Sequence, residues 1–579
     1  MNLHALYHRP KSNYCYCYDL KKIHIRFRAA KQDLDRVTLI YGDKFEWNKK
    51  RLKDMQQVCS DELYDYFATE VEPEHGRLAY IFELTKGKEK FYFTEWGAFK
   101  AINEKEIHQQ FFQYSYMHET EIHVVPQWVK DAIFYQIFPE RFNIGDSDIN
   151  LENTSPWNSK PEAASFFGGD LKGIIEKIDY LENLGINAIY LTPIFEAPTN
   201  HKYDTTDYFK IDPNFGDLST LKELVQKCHS KGIRIILDAV FNHSGYFFEP
   251  FQDVVKIGPA SPYFDWFHIH KWPFDKEGQN YDSFAFATHM PKLNTENPIV
   301  REYLLGVAKF WIEEADIDGW RLDVSDEVDH VFWRAFRNTV KSVKPDAYIV
   351  GENWLYSLPW LMGDQLDAVM NYPFTRNCIQ YFANKSISET QFKNYINIIQ
   401  MNQTQQANEV MFNLLDSHDT ARFLTLSGKN KNSLKLASTF QFTYLGAPCI
   451  YYGTEIGMEG AEDPDCRRTM DWNEENWDKE LLSYYKNLIL IRKNSEALRR
   501  GTFSWLESKN NIIAFERRTD KERAIVIINN NESEEIFTLD VGSYRVFDAI
   551  SKKTVQFNND KPVIVLEKYS AKILIIQNS

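Results

Sequence analysis

Between residues 128 and 498 short apolar segments alternate with amphipathic ones, and this alternation constrains the fold more than any other feature. Eight segments have the length and composition of buried strands: 132–138, 188–191, 234–239, 319–323, 347–352, 367–372, 411–415 and 449–452. Helical periodicity falls between most of them, as in 171–184, 218–230, 298–315 and 327–340. Eight strands that alternate with helices predict an α/β protein built on a parallel (β/α)8 (TIM) barrel.

Regions on both sides of this segment carry strand signals without helical ones. Segments 22–28, 36–41, 78–84 and 90–93 alternate polar and apolar residues, which predicts an N-terminal β-sandwich over residues 1–122. Short strands return at 512–516, 524–528, 563–566 and 572–576, which predicts a C-terminal β-sandwich domain over 499–579. The barrel would then occupy 123–498. Its aromatic-rich stretch 242–295 is too long for a loop and predicts a subdomain over the barrel mouth.

Charge and cysteine usage exclude several classes of function. The net charge is −15, which argues against nucleic acid or an anionic membrane as a partner. The seven cysteines are odd in number and scattered, so we expect buried thiols in a reducing compartment. The N-terminal segment has no apolar signal core, and the longest near-apolar run, 436–452, is interrupted by polar residues. We therefore expect a soluble, cytoplasmic protein.

Three acidic residues close separate predicted strands. Asp323 closes segment 319–323, Glu352 closes 347–352, and Asp419 follows the apolar stretch that begins at 411. A single Asp at such a place more often caps a helix, but three favour an active site at the carboxyl edge of the barrel. Paired carboxylates can serve as the nucleophile and the acid/base of a glycosidase.

The neighbours of these acids support that interpretation. Arg321 lies on the same face of its strand as Asp323 and would keep that carboxylate ionised. Trp354 follows Glu352 closely, and an indole there would exclude water and favour the protonated acid. His243 and His418 can donate hydrogen bonds to sugar hydroxyls, although for either one alone the residue type somewhat favours a satisfied structural histidine.

Four blocks, taken together and in order, resemble the α-amylase superfamily of retaining glycoside hydrolases. They are Asp-Ala-Val-Phe-Asn-His at 238–243, Gly-Trp-Arg-Leu-Asp-Val-Ser-Asp-Glu at 319–327, Gly-Glu-Asn-Trp at 351–354 and Leu-Asp-Ser-His-Asp at 415–419. Two further segments, His-Lys-Tyr-Asp-Thr at 201–205 and Met-Pro-Lys-Leu-Asn at 290–294, resemble the cyclomaltodextrinase, neopullulanase and maltogenic amylase branch. The sandwich placed before the barrel is similar to that branch as well.

The resemblance implies a role for each matching residue. Asp323 would be the nucleophile, Glu352 the acid/base, and Asp419 the carboxylate that holds ring hydroxyls in the transition state. The residues implied to contact substrate are Tyr203, His243, Arg321, Glu327, Trp354, His418, Asp463 and Arg467. The pair of Asp463 and Arg467 is equally explained as a salt-bridged loop. Asp326 stands where relatives commonly carry Asn, which leaves the balance of hydrolysis and transglycosylation open.

The resemblance also implies a structural calcium site after the first strand, although the chemistry itself needs no cofactor. The residues that match it are Asp146, Asn150, Gly169 and Asp170. Ile144 and Ile149 stand where oxygen ligands are expected, and calcium requires six to eight oxygens. The sequence therefore predicts at most a weak or shifted site.

The function that the resemblance implies is retaining hydrolysis of α-1,4 bonds, with α-1,6 bonds as further targets, in cyclodextrins, pullulan and maltooligosaccharides. The resemblance also implies a homodimer formed through the N-terminal domain. Two alternatives stay open: a transglycosylase or isomerase on the same scaffold, and a non-catalytic glycan-binding protein. The second is disfavoured because all three acids and Arg321 are present.

Overall fold

A computed structural model describes residues 1–274, 280–539, 545–556 and 562–577 of the chain. The residues outside this description are 275–279, in the predicted insertion, and 540–544, 557–561 and 578–579, in the predicted C-terminal domain. In the described part, no helix is both long and apolar enough to cross a bilayer.

The N-terminal region is a sandwich of two antiparallel sheets, as predicted. One sheet has the order Cys15–Cys17, Ile23–Ala30, Tyr64–Val71, Gln56–Ser60. The other has the order Arg51–Asp54, Arg36–Gly42, Leu78–Lys86, Glu89–Thr94, Gly97–Phe99, with Phe112–Tyr114 added to Leu78–Lys86. Apolar residues at alternate positions, such as Ile25, Phe27 and Phe82, fill the space between the sheets.

Eight parallel strands form the central sheet, which confirms the predicted barrel. They are β1 (Phe134–Ile137), β2 (Ala188–Leu191), β3 (Arg234–Ala239), β4 (Gly319–Leu322), β5 (Tyr348–Gly351), β6 (Ala368–Val369), β7 (Phe412–Leu414) and β8 (Ala447–Tyr451). Each pairs with its neighbours in chain order, and β8 pairs with β1. A parallel bridge between Met370 and Phe412 joins β6 to β7 and closes the barrel.

Helices follow most of these strands and cover the barrel. Their bounds are Leu171–Glu176, Ile178–Leu184, Leu218–Ser230, Pro298–Ala315, His330–Val343, Tyr372–Cys378, Glu389–Met401, Gln405–Val410, Phe423–Leu426, Lys431–Thr443, Lys479–Asn494 and Glu496–Arg500. The helix predicted to begin at 327 begins at His330, because the Asp329 side chain accepts the Phe332 N–H and caps it there. The predicted helix 171–184 is divided at Lys177.

The described residues of the insertion after β3 form one α-helix, Glu249–Ile257, and two short 3-10 helices, Gly258–Ala260 and Phe264–Trp266, and aromatic side chains hold the rest. Phe251, for example, packs against Phe267, Phe274 and Tyr281 with ring centroids 4.8, 5.8 and 5.0 Å away. Residues at both of its ends, including His243 and Met290, line the cavity at the barrel mouth. The insertion therefore forms part of the site.

The described residues of the C-terminal region form two sheets. A six-stranded sheet has the order Thr502–Trp505, Ile512–Arg518, Glu522–Asn529, Ser570–Gln577, Arg545–Asp548, Lys553–Gln556, and Glu535–Thr538 pairs with Val563–Leu566. One buried arginine, Arg517, joins this region to the barrel, and a second, Arg492 of helix Lys479–Asn494, binds the same part of the barrel. Arg492 donates to the backbone oxygens of Phe442 and Gly446, and Arg517 donates to those of Thr443 and Tyr444. These guanidiniums satisfy the carbonyl groups that the end of helix Lys431–Thr443 leaves unpaired.

Candidate active site

Asp323, Glu352 and Asp419 line one cavity of about 490 Å³ at the carboxyl edge of the barrel. Asp323 and Glu352 directly follow β4 and β5, as expected from the strand pattern. Asp419 does not close its strand: β7 ends at Leu414, and Asp419 lies in the following loop. There its N–H bonds the Ser417 hydroxyl, so a local turn rather than the strand sets its position.

The Arg321 guanidinium joins the carboxyl groups of this cluster. Its Nη1 lies 2.7 Å from Asp323 Oδ1 and 3.0 Å from Asp238 Oδ2, and its Nη2 lies 3.0 Å from Glu352 Oε2. Arg321 is 1% exposed, so water screens these contacts little. One cation therefore holds three carboxyl groups from β3, β4 and β5 in a single arrangement.

Burial dominates the protonation of this cluster. It raises the pKa of Asp323, and it raises the pKa of Asp238 to about 6, while the Arg321 guanidinium opposes both shifts. The nearby Glu352 carboxyl raises both pKa values further. Since neighbouring carboxyl groups that share one cation cannot all ionise easily, we expect the cluster to retain a proton near neutral pH.

Residues that closely follow Asp323 and Glu352 in the sequence orient the Glu352 carboxyl group. Val324 has φ 44° and ψ 46°, a left-handed conformation that is rare for a β-branched residue. In this conformation its N–H donates to Glu352 Oε2 at 3.1 Å. The Trp354 indole N–H donates to Glu352 Oε1 at 3.2 Å, and Tyr372 stacks on that indole. Both carboxyl oxygens of Glu352 are thus oriented by donors from the site itself.

His418 is buried beneath the cavity and is linked to several of its walls. Gln136 Nε2 donates to His418 Nδ1 at 2.6 Å, so the ring proton is on Nε2. That nitrogen lies 2.6 Å from the Tyr203 hydroxyl and 3.2 Å from Asp419 Oδ2. Burial lowers the pKa of His418 well below its usual range, with help from Arg467 and Arg321. His418 is therefore a neutral residue that positions Tyr203 and Asp419.

Arg467 connects Asp419 with Asp463. Its Nη1 lies 3.1 Å from Asp463 Oδ1, and its Nη2 lies 3.3 Å from Asp419 Oδ1. The salt bridge that was the alternative explanation is thus present. The same pair also lines the cavity, so the two interpretations are compatible.

Most residues predicted to contact substrate line the cavity. They are Tyr203, His243, Glu327, Trp354, Asp463 and Arg467, together with the three acids. Arg321 and His418 are fully buried and contact the acids from behind instead. Their direct contact with a sugar stays a prediction.

Sequence reasoning missed four supporting residues: Gln136, Tyr190, Lys292 and Tyr372. Tyr190 donates to Asp238 Oδ2 at 2.6 Å, and Lys292 lies 3.1 Å from Glu327 Oε2. Two signals were available: Gln136 is a polar residue inside the otherwise apolar strand β1, and Lys292 lies in the segment 290–294 that resembles the branch.

The residues of the implied calcium site do not fit a calcium ion. Asp170 Oδ2 accepts the N–H groups of Gly145 and Asp146 at 3.0 and 2.8 Å, and Asp170 Oδ1 accepts the Gly173 N–H at 2.6 Å. Asp146 Oδ2 lies 3.2 Å from the Lys172 ammonium. These carboxylates are already paired with donors of the protein.

The rest of the implied set supplies too few oxygens. The side chains of Ile144 and Ile149 have none, and Gly169 has only its backbone carbonyl oxygen to offer. Asn150 Oδ1 has no hydrogen-bond partner among the described residues, but this oxygen and one carbonyl are far from the six to eight that calcium takes. Among the described residues, no group of three or more His, Cys, Asp or Glu side chains is arranged to hold a metal.

Comparison with known proteins places this site in a family. Residues 136–511 match the α-amylase catalytic domain, and residues 1–118 match the α-amylase N-terminal Ig-like domain. A cyclomaltodextrinase of Geobacillus thermopakistaniensis is 49% identical over 93% of this chain and 92% of its own length. Neopullulanase 2 of Thermoactinomyces vulgaris is 45% identical over 99% of both chains. A solved cyclomaltodextrinase structure superimposes with a TM-score of 0.96, 45% identity and complete coverage of both chains.

The chain belongs to the α-amylase family and is a glycoside hydrolase. Within that family it falls in the branch of cyclomaltodextrinases, maltogenic amylases and neopullulanases, which confirms the resemblance seen in the sequence.

Proposed function

We propose that the protein hydrolyses α-1,4 bonds, and α-1,6 bonds as well, in cyclodextrins, pullulan and maltooligosaccharides. The reaction proceeds with retention, through a covalent glycosyl intermediate on Asp323. The observation that carries this proposal is the contact of one guanidinium, Arg321, with both Asp323 and Glu352 at the cavity. Carboxyl groups held so close suit the separation of about 5 Å that retaining glycosidases use.

The residues divide two displacement steps between them. Asp323 attacks the anomeric carbon and forms a C–O bond, while Glu352 protonates the departing glycosidic oxygen. Glu352 then takes a proton from water, whose oxygen replaces Asp323 at the anomeric carbon. Water is thereby added across the bond and both carboxyl groups return to their starting states. Asp419 accepts hydrogen bonds from ring hydroxyls, and Arg467 helps to keep Asp419 in place.

The test is a parallel assay on β-cyclodextrin, pullulan and starch, with product anomers followed by NMR. Asp323→Asn and Glu352→Gln are expected to lose several orders of magnitude in kcat. Asp326→Asn, an acid that also lines the cavity, is the matched control and should keep most of the activity. An active Asp323→Asn enzyme, or products that first appear with inverted configuration, would refute the proposal.

Transglycosylation is the second candidate function, and two acidic residues in the cavity support it. Asp326 and Glu327 line the same cavity as Glu352, on the segment that follows the nucleophile. There they would contact a sugar that replaces water as the acceptor. Incubation with maltotriose separates the two reactions, because dominant longer or α-1,6-linked products indicate transfer, whereas glucose and maltose indicate hydrolysis.

We also propose a cytoplasmic homodimer formed through the N-terminal domain. All seven cysteines are free, and six of them are buried, which suits a reducing compartment. An intracellular maltogenic amylase of Bacillus subtilis is 48% identical over 91% of the chain. Sedimentation of the full chain and of a variant without residues 1–122 tests the dimer, which should be lost in the truncated protein.

A further inference from the structure

We propose that Lys292 is a positioning residue that fixes the tautomer of His243 through Asn242, so that His243 presents Nε2–H to the sugar. This inference rests on the function proposed above, because it deepens the account of how that site binds substrate.

Lys292 lies at the far end of the insertion and is tied to the chain on both sides of the cavity. Its backbone forms a bridge with His243, and its ammonium lies 3.1 Å from Glu327 Oε2 and 3.2 Å from the Glu327 carbonyl oxygen. The same ammonium donates to Asn242 Oδ1. Because an ammonium can only donate, this contact turns the oxygen of the Asn242 amide toward Lys292.

The other end of that amide then determines where the imidazole carries its proton. Asn242 Nδ2 lies 3.2 Å from His243 Nδ1. An amide nitrogen only donates, so His243 Nδ1 must accept, and a neutral ring must carry its proton on Nε2. Without Lys292 the amide could turn over and present its oxygen to Nδ1, which would reverse the tautomer.

His243 Nε2 is the group that this arrangement leaves available. His243 is 1% exposed and lines the cavity, and no hydrogen bond of normal geometry reaches its Nε2 from the described residues, although the Tyr203 backbone lies close enough to the ring to affect its pKa. A buried donor without a partner is unfavourable, and a sugar hydroxyl that accepts from it would relieve that loss. The aromatic ring of Phe284 lies against the imidazole, 5.1 Å between centroids, and restricts its rotation.

The charges around His243 keep the ring neutral. Burial lowers the pKa of His243 to about 3, assisted by the Lys292 ammonium and by His289, while the backbone of Tyr203 acts in the opposite sense. The tautomer therefore matters over the whole pH range in which the enzyme is expected to work.

The decisive variant is Asn242→Asp in the full-length protein. Its carboxylate keeps the contact with Lys292 but offers only acceptors to His243, so the ring proton should move to Nδ1. Selective 15N labelling of histidine reports the tautomer, with His243→Asn used to assign the signal. We expect the Nε2–H form in the native protein, the Nδ1–H form in Asn242→Asp, and a fall in kcat/KM for maltotriose of about tenfold or more.

Two further variants separate this role from simple structural support. Lys292→Met should raise the pKa of His243 in an NMR titration, whereas Lys222→Met, which breaks a surface pair with Glu314, should not. Glu327→Gln removes the other partner of Lys292 and should leave the tautomer unchanged. An Nδ1–H ring in the native protein, or native kcat/KM in Asn242→Asp, overturns the inference. If the native protein cleaves no α-glucan, the proposed function fails, while the NMR signal still decides the tautomer.

Discussion

The rings of Trp354 and Tyr372 lie face to face, with centroids 3.7 Å apart and planes 3° apart. Tyr372 is buried at the start of helix Tyr372–Cys378, so it fixes an indole that is itself 44% exposed. Through this contact the barrel wall orients the indole N–H that reaches Glu352.

Tyr372→Ala should therefore lower kcat by about fivefold, because a stacked aromatic pair contributes roughly 1 kcal/mol and the acid/base depends on the indole it holds. Steady-state kinetics check this. Tyr372→Phe keeps the stack and should behave as the native enzyme. Tyr395→Ala, on an exposed tyrosine, is the control, and equal losses in the two alanine variants would refute the prediction.

His123 should make the protein sensitive to acid. It is buried, neither ring nitrogen has a hydrogen-bond partner among the described residues, and burial lowers its pKa to about 3, aided by Arg337. Because the unfolded chain binds the proton near pH 6.5 and the folded chain does not, stability present above pH 6.5 is lost as pH falls toward 3. The loss reaches about 2 kcal/mol at pH 5.

His123→Leu removes this titration and should raise the thermal midpoint more at pH 5 than at pH 8. His4→Leu, at an exposed histidine, should show no such difference between the two pH values. A gain that is equal at both pH values would mean that packing, and not the proton, explains the effect.

Arg492 should be essential to the packing of helix Lys479–Asn494 against the rest of the barrel. Its guanidinium is fully buried and donates to the carbonyl oxygens of Phe442, Leu498 and Gly446. Arg492→Met leaves these acceptors unpaired and should destabilise the protein by at least about 2 kcal/mol. Thermal unfolding checks this against Arg334→Met, which breaks an exposed pair with Asp364 and should change little.

Calcium should have no effect on stability. The Asp170 carboxylate accepts hydrogen bonds from three N–H groups, whereas in a calcium site it would coordinate the cation. We expect the same thermal midpoint in millimolar calcium and in EDTA, measured by calorimetry. Asp170→Asn replaces an acceptor by a donor and should lower the midpoint in both conditions, whereas Asp146→Asn, near the surface, should have a small effect. A midpoint that rises with calcium would contradict this.

The barrel and two of the three acids were predictable because their signals are local. Helical periodicity and strand composition identify β1 to β8 one segment at a time, and a strand's last residue fixes where Asp323 and Glu352 emerge. Asp419 was misplaced relative to its strand because a turn at Ser417 extends the loop. The strand Tyr64–Val71 was missed because polar residues interrupt its apolar pattern.

The supporting residues could not be predicted because their partners are distant in sequence. Nothing around residue 292 indicates that its ammonium meets Asn242, and nothing near residue 372 indicates a stack on Trp354. The calcium interpretation shows the same limit, since an Asp that binds a cation and an Asp that caps a helix look alike in a sequence. Asp170 is the cap of helix Leu171–Glu176.

The left-handed backbone at Val324 has a consequence for adaptation to heat. A valine held there costs about 1–3 kcal/mol, which a glycine at the same position would largely recover. Selection for heat resistance alone would thus favour glycine at this position. The N–H of this residue would then no longer be held toward Glu352. A variant selected for thermal stability in this way would then turn over substrate more slowly. Stability and activity thus oppose each other at Val324.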